Sequence, residues 1–250
     1  MLGYIPSTRA DRLPAVLLAY AVALAAFVLL PPLFRGPASA ALPVGFTLQE
    51  GLDLLTPLVV IPLAWYAMDL GGGLGRIGLV AFLLVAVLWV EGQAIHLAAN
   101  GIGDAFPSPA DADVFYRTPP GDLAHWLDEV ASHWLWHLAW SGMSILLLAT
   151  AMSGHGRSAS GGGPLTGLAG LIHGGTLFMA TTEGVTTMIG IPVSVGILLW
   201  TLVAVALGRS RSPIVTFLAV SSLATLLAYL GWAAANGWTL PEPCKTVLSC

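Results

Sequence analysis

The chain has 250 residues, of which 56% are hydrophobic and 9% are charged, and its mean hydropathy is +0.84. Because about a quarter of the residues of a soluble domain are charged, this composition excludes an ordinary soluble protein. The formal charge of −4, without any cluster of basic residues, excludes a nucleic-acid partner. We therefore expect one all-α integral membrane domain over residues 1–250, a polytopic helical bundle surrounded by the lipid bilayer.

Apolar segments of about the length needed to cross a bilayer follow one another along the chain. Seven spans are predicted, over residues 13–34, 51–70, 76–102, 122–152, 164–184, 191–208 and 213–233. Thr47 and Glu50 have the spacing of a capping box and are expected to begin the second span. An acidic loop, residues 103–121, is predicted between the third and fourth spans, and Asp122 is expected to cap the fourth span.

Basic residues indicate how the seven spans are oriented. If the N-terminus is cytoplasmic, the cytoplasmic segments contain Arg9, Arg12, Arg76, Arg157, Arg209 and Arg211, and the outer segments contain Arg35, Arg117 and Lys245. This excess agrees with the positive-inside rule and predicts a cytoplasmic N-terminus and an extracytoplasmic C-terminus, in a prokaryotic plasma membrane. Cys244 and Cys250 would then be outside the cell, where a disulfide between them could persist.

The fourth span contains an unusual number of ionisable residues for a membrane helix. The stretch from His125 to His137 has three histidines and two neighbouring carboxylates. Ionisable groups inside a bilayer are costly unless they are paired or ligated, and they indicate a functional site. At about 100° per helical residue, Glu129, His133 and His137 fall within roughly 80° of one another, so their side chains could bind one ion.

Histidines on two other spans are expected at overlapping depths. At about 1.5 Å per residue, Glu129 and His133 are about 10 and 16 Å below the outer surface, and His96 of the third span is about 10 Å below it. His173 of the fifth span is expected close to the middle of the bilayer. We therefore predict a buried metal site in the outer half of the bilayer, with ligands His96, His133, His137, His173 and Glu129.

Imidazole and carboxylate ligands suit zinc, copper or iron. With zinc the site would support hydrolysis, with Glu129 or Glu91 as general base; with copper or iron it would support oxidase or oxygenase chemistry. A metal-dependent enzyme acting on a small lipid-soluble substrate is the favoured prediction. Glu91 lies about 140° from His96 around the third span, so it could join the site only if Gly92 allowed a bend.

Two other classes of function use the same residues. Histidines on facing helices could be the axial ligands of a b-type haem in an electron-transfer protein. Alternatively, the ionisable groups could form a proton pathway or a transporter. His96 or His173 taken singly could also serve only to hydrogen-bond between helices.

Overall fold

A computed structural model describes residues 9–34, 47–106, 108–153, 163–209 and 212–243. Helices make up almost all of these residues, and no β-strand occurs among them. The all-helical prediction is therefore confirmed for the described part of the chain. Some of the residues used in the topology prediction lie outside it, namely Arg35, Arg157, Arg211, Lys245 and both predicted disulfide partners, Cys244 and Cys250.

Nine α-helices follow in chain order within the described residues. They are α1 Arg9–Leu29, α2 Leu48–Gly71, α3 Arg76–Asp104, α4 Pro109–Tyr116, α5 Pro119–Trp126, α6 His133–Ser153, α7 Pro164–Glu183, α8 Thr187–Ala204 and α9 Pro213–Ala235. A π-helical segment, Leu127–Ser132, joins α5 to α6 without interruption. A short 3₁₀ turn, Pro31–Leu33, follows α1, and a second π-helical segment, Val205–Arg209, extends α8.

Six helical segments of the described chain are long and apolar enough to cross a membrane. They are Arg12–Leu29, Leu48–Gly71, Arg76–Ile102, Pro119–Ser153, Thr187–Arg209 and Pro213–Ala235. These helices fit an integral membrane protein, as predicted. The remaining predicted span corresponds to α7, whose many glycine and threonine residues make it less apolar than the others. The predicted total of seven spans and the orientation of the termini stay predictions.

Helix starts depend on local capping. The capping box of Thr47 and Glu50 is present at the start of α2, as predicted. The expected cap of the fourth span was wrong: α5 begins at Pro119, and the side chain of Thr118 accepts a hydrogen bond from the backbone N–H of Gly121. The segment predicted as an acidic loop thus contains α4 and the first residues of α5, because Ser108 and Thr118 both act as N-caps followed by proline.

Helix α7 packs most extensively against α9 and α1, while Leu165, Leu168 and Leu171 are exposed on its other side. A Cβ atom on Gly174 would lie 2.3 Å from the backbone oxygen of Ser221, and one on Gly170 would lie 2.7 Å from that of Phe217. The two backbones are therefore in direct contact through a small-xxx-small pair. Thr166, Ala169, His173, Thr176 and Ala180 are all buried on α7.

Helix α3 crosses the helix formed by the π-helical segment and α6 at Gly92. A Cβ atom on Gly92 would lie 2.9 Å from both the backbone oxygen of Ser132 and the backbone nitrogen of Trp136. Only glycine permits such a close crossing. Because His96 lies one turn after Gly92, this contact places its ring beside the histidines of α6.

Candidate functional site

His96 of α3 is held by a buried carboxylate on the facing helix. Its Nδ1 lies 2.7 Å from Oδ1 of Asp128, an ion-pair contact without the alignment of a good hydrogen bond. On the other side of the ring, the side-chain amide of Asn100, one turn later on α3, lies 3.1 Å from Nε2. Asp53 of α2 is also buried and interacts electrostatically with His96. The His96 ring is thus fixed at both nitrogens.

The carboxylate at this position is Asp128, whereas the sequence argument chose Glu129. Asp128 is buried and Glu129 is exposed. The cause is the π-helical segment Leu127–Ser132, in which the repeat of hydrogen bonding is i→i+5 instead of i→i+4. Asp128 lies five residues before His133, the spacing of hydrogen-bonded residues in a π-helix, so the wider turn rotates it towards the side of the histidines.

His133 lies between the other two histidines of the cluster. Its ring centroid is 5.4 Å from that of His96 and 6.0 Å from that of His137. Its Nδ1 lies 3.0 Å from the backbone oxygen of Glu129. Since a carbonyl oxygen can only accept, Nδ1 carries the hydrogen. The Nε2 atom of neutral His133 therefore has a lone pair.

His137 is completely buried, and its Nδ1 lies 2.5 Å from the hydroxyl oxygen of Thr186. The Thr186 hydroxyl also donates to the backbone oxygen of Thr181, at 3.3 Å, so it accepts the Nδ1–H of His137. Within the described residues, Nε2 of His137 has no hydrogen-bond partner. A buried ring nitrogen with an unused lone pair is uncommon, because buried polar atoms are nearly always paired.

The turn between α7 and α8 closes over both histidines of α6. A Cβ atom on Gly184 would lie 2.8 Å from Cε1 of His137 and 3.1 Å from Nδ1 of His133. On the other side, the Trp136 indole stacks on the His137 ring at 5.4 Å and contacts Trp89 of α3 edge-on at 5.8 Å. The cluster is thus surrounded by a tight backbone turn and by aromatic rings.

His173 lies apart from this cluster. The Trp140 indole donates a hydrogen bond to its Nε2 at 2.8 Å, so Nδ1 carries the hydrogen and donates to the hydroxyl of Ser221 at 2.7 Å. Its ring contacts are with Tyr20, Trp140 and Phe217. With both nitrogens engaged, His173 has no lone pair to offer a metal ion, and its predicted role as a fourth ligand stays a prediction.

The two predicted general bases lie on exposed surfaces. Glu129 is exposed beside Asp128, and Glu91 is exposed on the face of α3 opposite Gly92 and Gln93, which are buried. The bend at Gly92 that would bring Glu91 into the site is absent, since α3 is one continuous helix. Their catalytic roles stay predictions.

Some residues of the site were missed by the sequence argument. Asp128 points about 100° away from Glu129 on an ideal α-helix, and Thr186 lies in a turn that carries no pattern. Asn100 was recognisable, because it lies four residues after His96 and shares its face.

As the side chains stand, the described residues contain no group of three or more His, Cys, Asp or Glu that could hold a metal ion. Comparison of the chain with family models, with curated proteins and with solved structures gives no match.

Proposed function

We propose that this membrane protein binds a transition-metal ion through the Nε2 atoms of His96, His133 and His137 and uses it as an enzyme. One observation carries the proposal: the Nδ1 atom of each ring faces an acceptor, namely the carboxylate of Asp128, the backbone oxygen of Glu129 and the hydroxyl of Thr186. Histidines that ligate metals commonly donate their other N–H to such groups, which fixes the tautomer and leaves the remaining nitrogen free to bind.

Metal binding requires two local changes from the present arrangement. The amide of Asn100 has to leave Nε2 of His96, and the three rings have to turn until their Nε2 atoms converge. The centroid distances of 5.4 and 6.0 Å between neighbouring rings keep the required movements small.

The donor set suits zinc, copper or iron. A bound ion would supply either a water of lowered pKa for hydrolysis or a redox centre for oxidation. The apolar surface of the helices and the indoles of Trp89 and Trp136 favour a small lipid-soluble substrate. Asp128 orients His96, and Glu129, exposed one residue later, is our candidate for the general base.

Elemental analysis of the purified protein tests the proposal. We expect wild type to contain a transition metal, and His96→Gln, His133→Gln and His137→Gln to lose it. His173→Gln is the matched control, because it removes a buried histidine outside the cluster and should retain the metal. Metal-free wild type after expression with added zinc, copper and iron would refute the proposal, as would equal metal loss in all four variants.

A proton pathway is the second candidate, favoured by the succession of ionisable groups Asp53, His96, Asp128, His133 and His137. Reconstitution into vesicles with an internal pH indicator separates the two. Proton flux in metal-free protein, abolished by Asp128→Asn, would support the pathway instead of the metal site.

We further propose that α7 crosses the membrane as a seventh span packed against α1 and α9, so that the N-terminus is cytoplasmic and the C-terminus extracytoplasmic. The basic residues of the chain support this orientation. A prokaryotic plasma membrane is the proposed location.

A further inference from the structure

Glu91 carries a carboxyl group in the middle of a membrane-spanning helix. It lies about 16 Å from the Ile102 end of the span Arg76–Ile102. Since the hydrocarbon layer is about 30 Å thick, this position is close to the middle of the bilayer. The Glu91 side chain is exposed on the surface of the bundle, so in the membrane it faces lipid.

The surface around Glu91 is apolar. Val80, Leu84 and Val87 are exposed to 58%, 63% and 55% and continue the same side of α3 towards Arg76. In the other direction, Ala94 and Ala98 are also exposed. Lipid tails cannot hydrogen-bond a carboxyl group, and acidic residues within membrane spans normally pair with another polar group.

The chain itself supplies no such partner in its described part. Glu91 makes no hydrogen bond or ion pair among the described residues. The arginines there whose side chains are described, Arg12, Arg76, Arg117 and Arg209, all lie at or beyond the ends of helices. The partner of Glu91 therefore lies outside the described part of the chain.

We propose that the exposed face of α3 that contains Val87, Glu91, Ala94 and Ala98 is the interface of a homodimer. A twofold axis along the membrane normal brings each residue near its own copy at the same depth, so Glu91 meets Glu91 of a second copy. Two carboxyl groups that share a proton satisfy each other by hydrogen bonding. Ala94 and Ala98, four residues apart, let the two α3 backbones approach closely.

Cysteine cross-linking in native membranes tests which face is involved. In a Cys244→Ser, Cys250→Ser background, we expect oxidation of Ala94→Cys and Ala98→Cys to give a covalent dimer. The control is Leu227→Cys on α9, which is exposed to 57% on another helix and should remain monomeric. Absence of cross-links at both alanines, or equal cross-linking at Leu227→Cys, would overturn the proposal, as would a cross-linked product that contains a different protein.

Substitutions of Glu91 test the role of the carboxyl group. Light scattering in mild detergent is expected to find a dimer for wild type and for Glu91→Gln, whose amide can pair with its own copy. Glu91→Leu, which matches the apolar surroundings, should shift the protein to monomer. A dimeric Glu91→Leu variant would contradict the pairing of the two carboxyl groups. The cross-linking experiment retains Glu91, so misfolding of a Glu91 variant would not affect the cross-linking result. Neither test depends on whether His96, His133 and His137 bind a metal.

Discussion

At the scale of single residues, the contrast between Asp128 and Glu129 is the sharpest feature of the site. Asp128 holds Nδ1 of His96, whereas its neighbour in sequence is exposed. We expect Asp128→Asn to weaken metal binding by about 10- to 100-fold, as is typical when the partner of a metal-bound histidine is changed.

The measurement for Asp128→Asn is a competition titration of the metal against a chelator of known affinity. Glu129→Gln is the matched control and should change the affinity little, because the backbone oxygen that binds His133 is retained. If Glu129→Gln weakened binding more than Asp128→Asn, the assignment of the two carboxylates would have to be reversed.

Gly184 provides a second test at this scale. A methyl group there would overlap the rings of His137 and His133, so Gly184→Ala should displace both and reduce the bound metal in elemental analysis. Gly175→Ala, on the preceding helix α7, is the control, since a Cβ atom at Gly175 meets nothing within 4 Å. Full metal content in Gly184→Ala would show that the rings can move away without loss of the site.

His96, His133 and His137 could be recognised from the sequence because ionisable residues are rare in membrane spans and because their depths can be counted. The environment of each ring could not be predicted from the sequence. Asn100 follows from helical spacing, but Thr186 approaches His137 from a turn 49 residues away, and His173 is satisfied by Trp140 and Ser221. Such contacts depend on how the helices pack, which residue spacing within one helix does not specify.

At the scale of helices, the contact between α7 and α9 is the most extensive in the described bundle. The Cβ atom added by Gly174→Ala would collide with the backbone at Ser221. A backbone atom cannot move aside as a side chain can, so we expect a destabilisation of about 1 to 3 kcal/mol, as for an overpacked core.

Thermal unfolding in detergent, followed by circular dichroism, measures this effect. Gly167→Ala in the same helix meets nothing within 4 Å, and it should leave the midpoint unchanged or raise it, since alanine favours the helix by about 1 kcal/mol. Equal midpoints for the two variants would mean that α7 and α9 are farther apart than described.

The π-helical segment explains why helix periodicity gave the wrong carboxylate. A calculation at 100° per residue is correct for α3, where Glu91, placed about 140° from His96, is exposed outside the site. The same calculation fails across Leu127–Ser132. The wider π-helical turn rotates the residues that precede His133 relative to those that follow it. Such segments are frequent at functional sites, but the sequence LDEVAS contains no proline or glycine that would reveal one.

At the scale of the whole molecule, hydropathy was sufficient to find the membrane helices. The predicted spans and the observed helices correspond, with ends that differ by up to five residues. The exception concerns α7, which falls short of the apolar character of the other spans because it contains many glycine and threonine residues.

The number of spans can be tested through the ends of the chain. With seven spans the termini lie on opposite sides of the membrane, and with six they lie on the same side. We expect alkaline phosphatase fused to the C-terminus to be active in bacteria and green fluorescent protein fused to the C-terminus to be dark. Green fluorescent protein fused to the N-terminus should fluoresce. Fluorescence of both fusions would contradict the seven-span orientation.

The claim on which the proposed function depends is that three imidazoles bind one ion through Nε2. X-ray absorption spectroscopy of the metal-loaded protein examines the ligands directly. We expect nitrogen scatterers at about 2.0 Å if the metal is zinc, with the outer-shell pattern of imidazole unchanged in His173→Gln and no bound metal in His137→Gln. A spectrum without imidazole scattering, or one that His137→Gln leaves intact, would contradict the account.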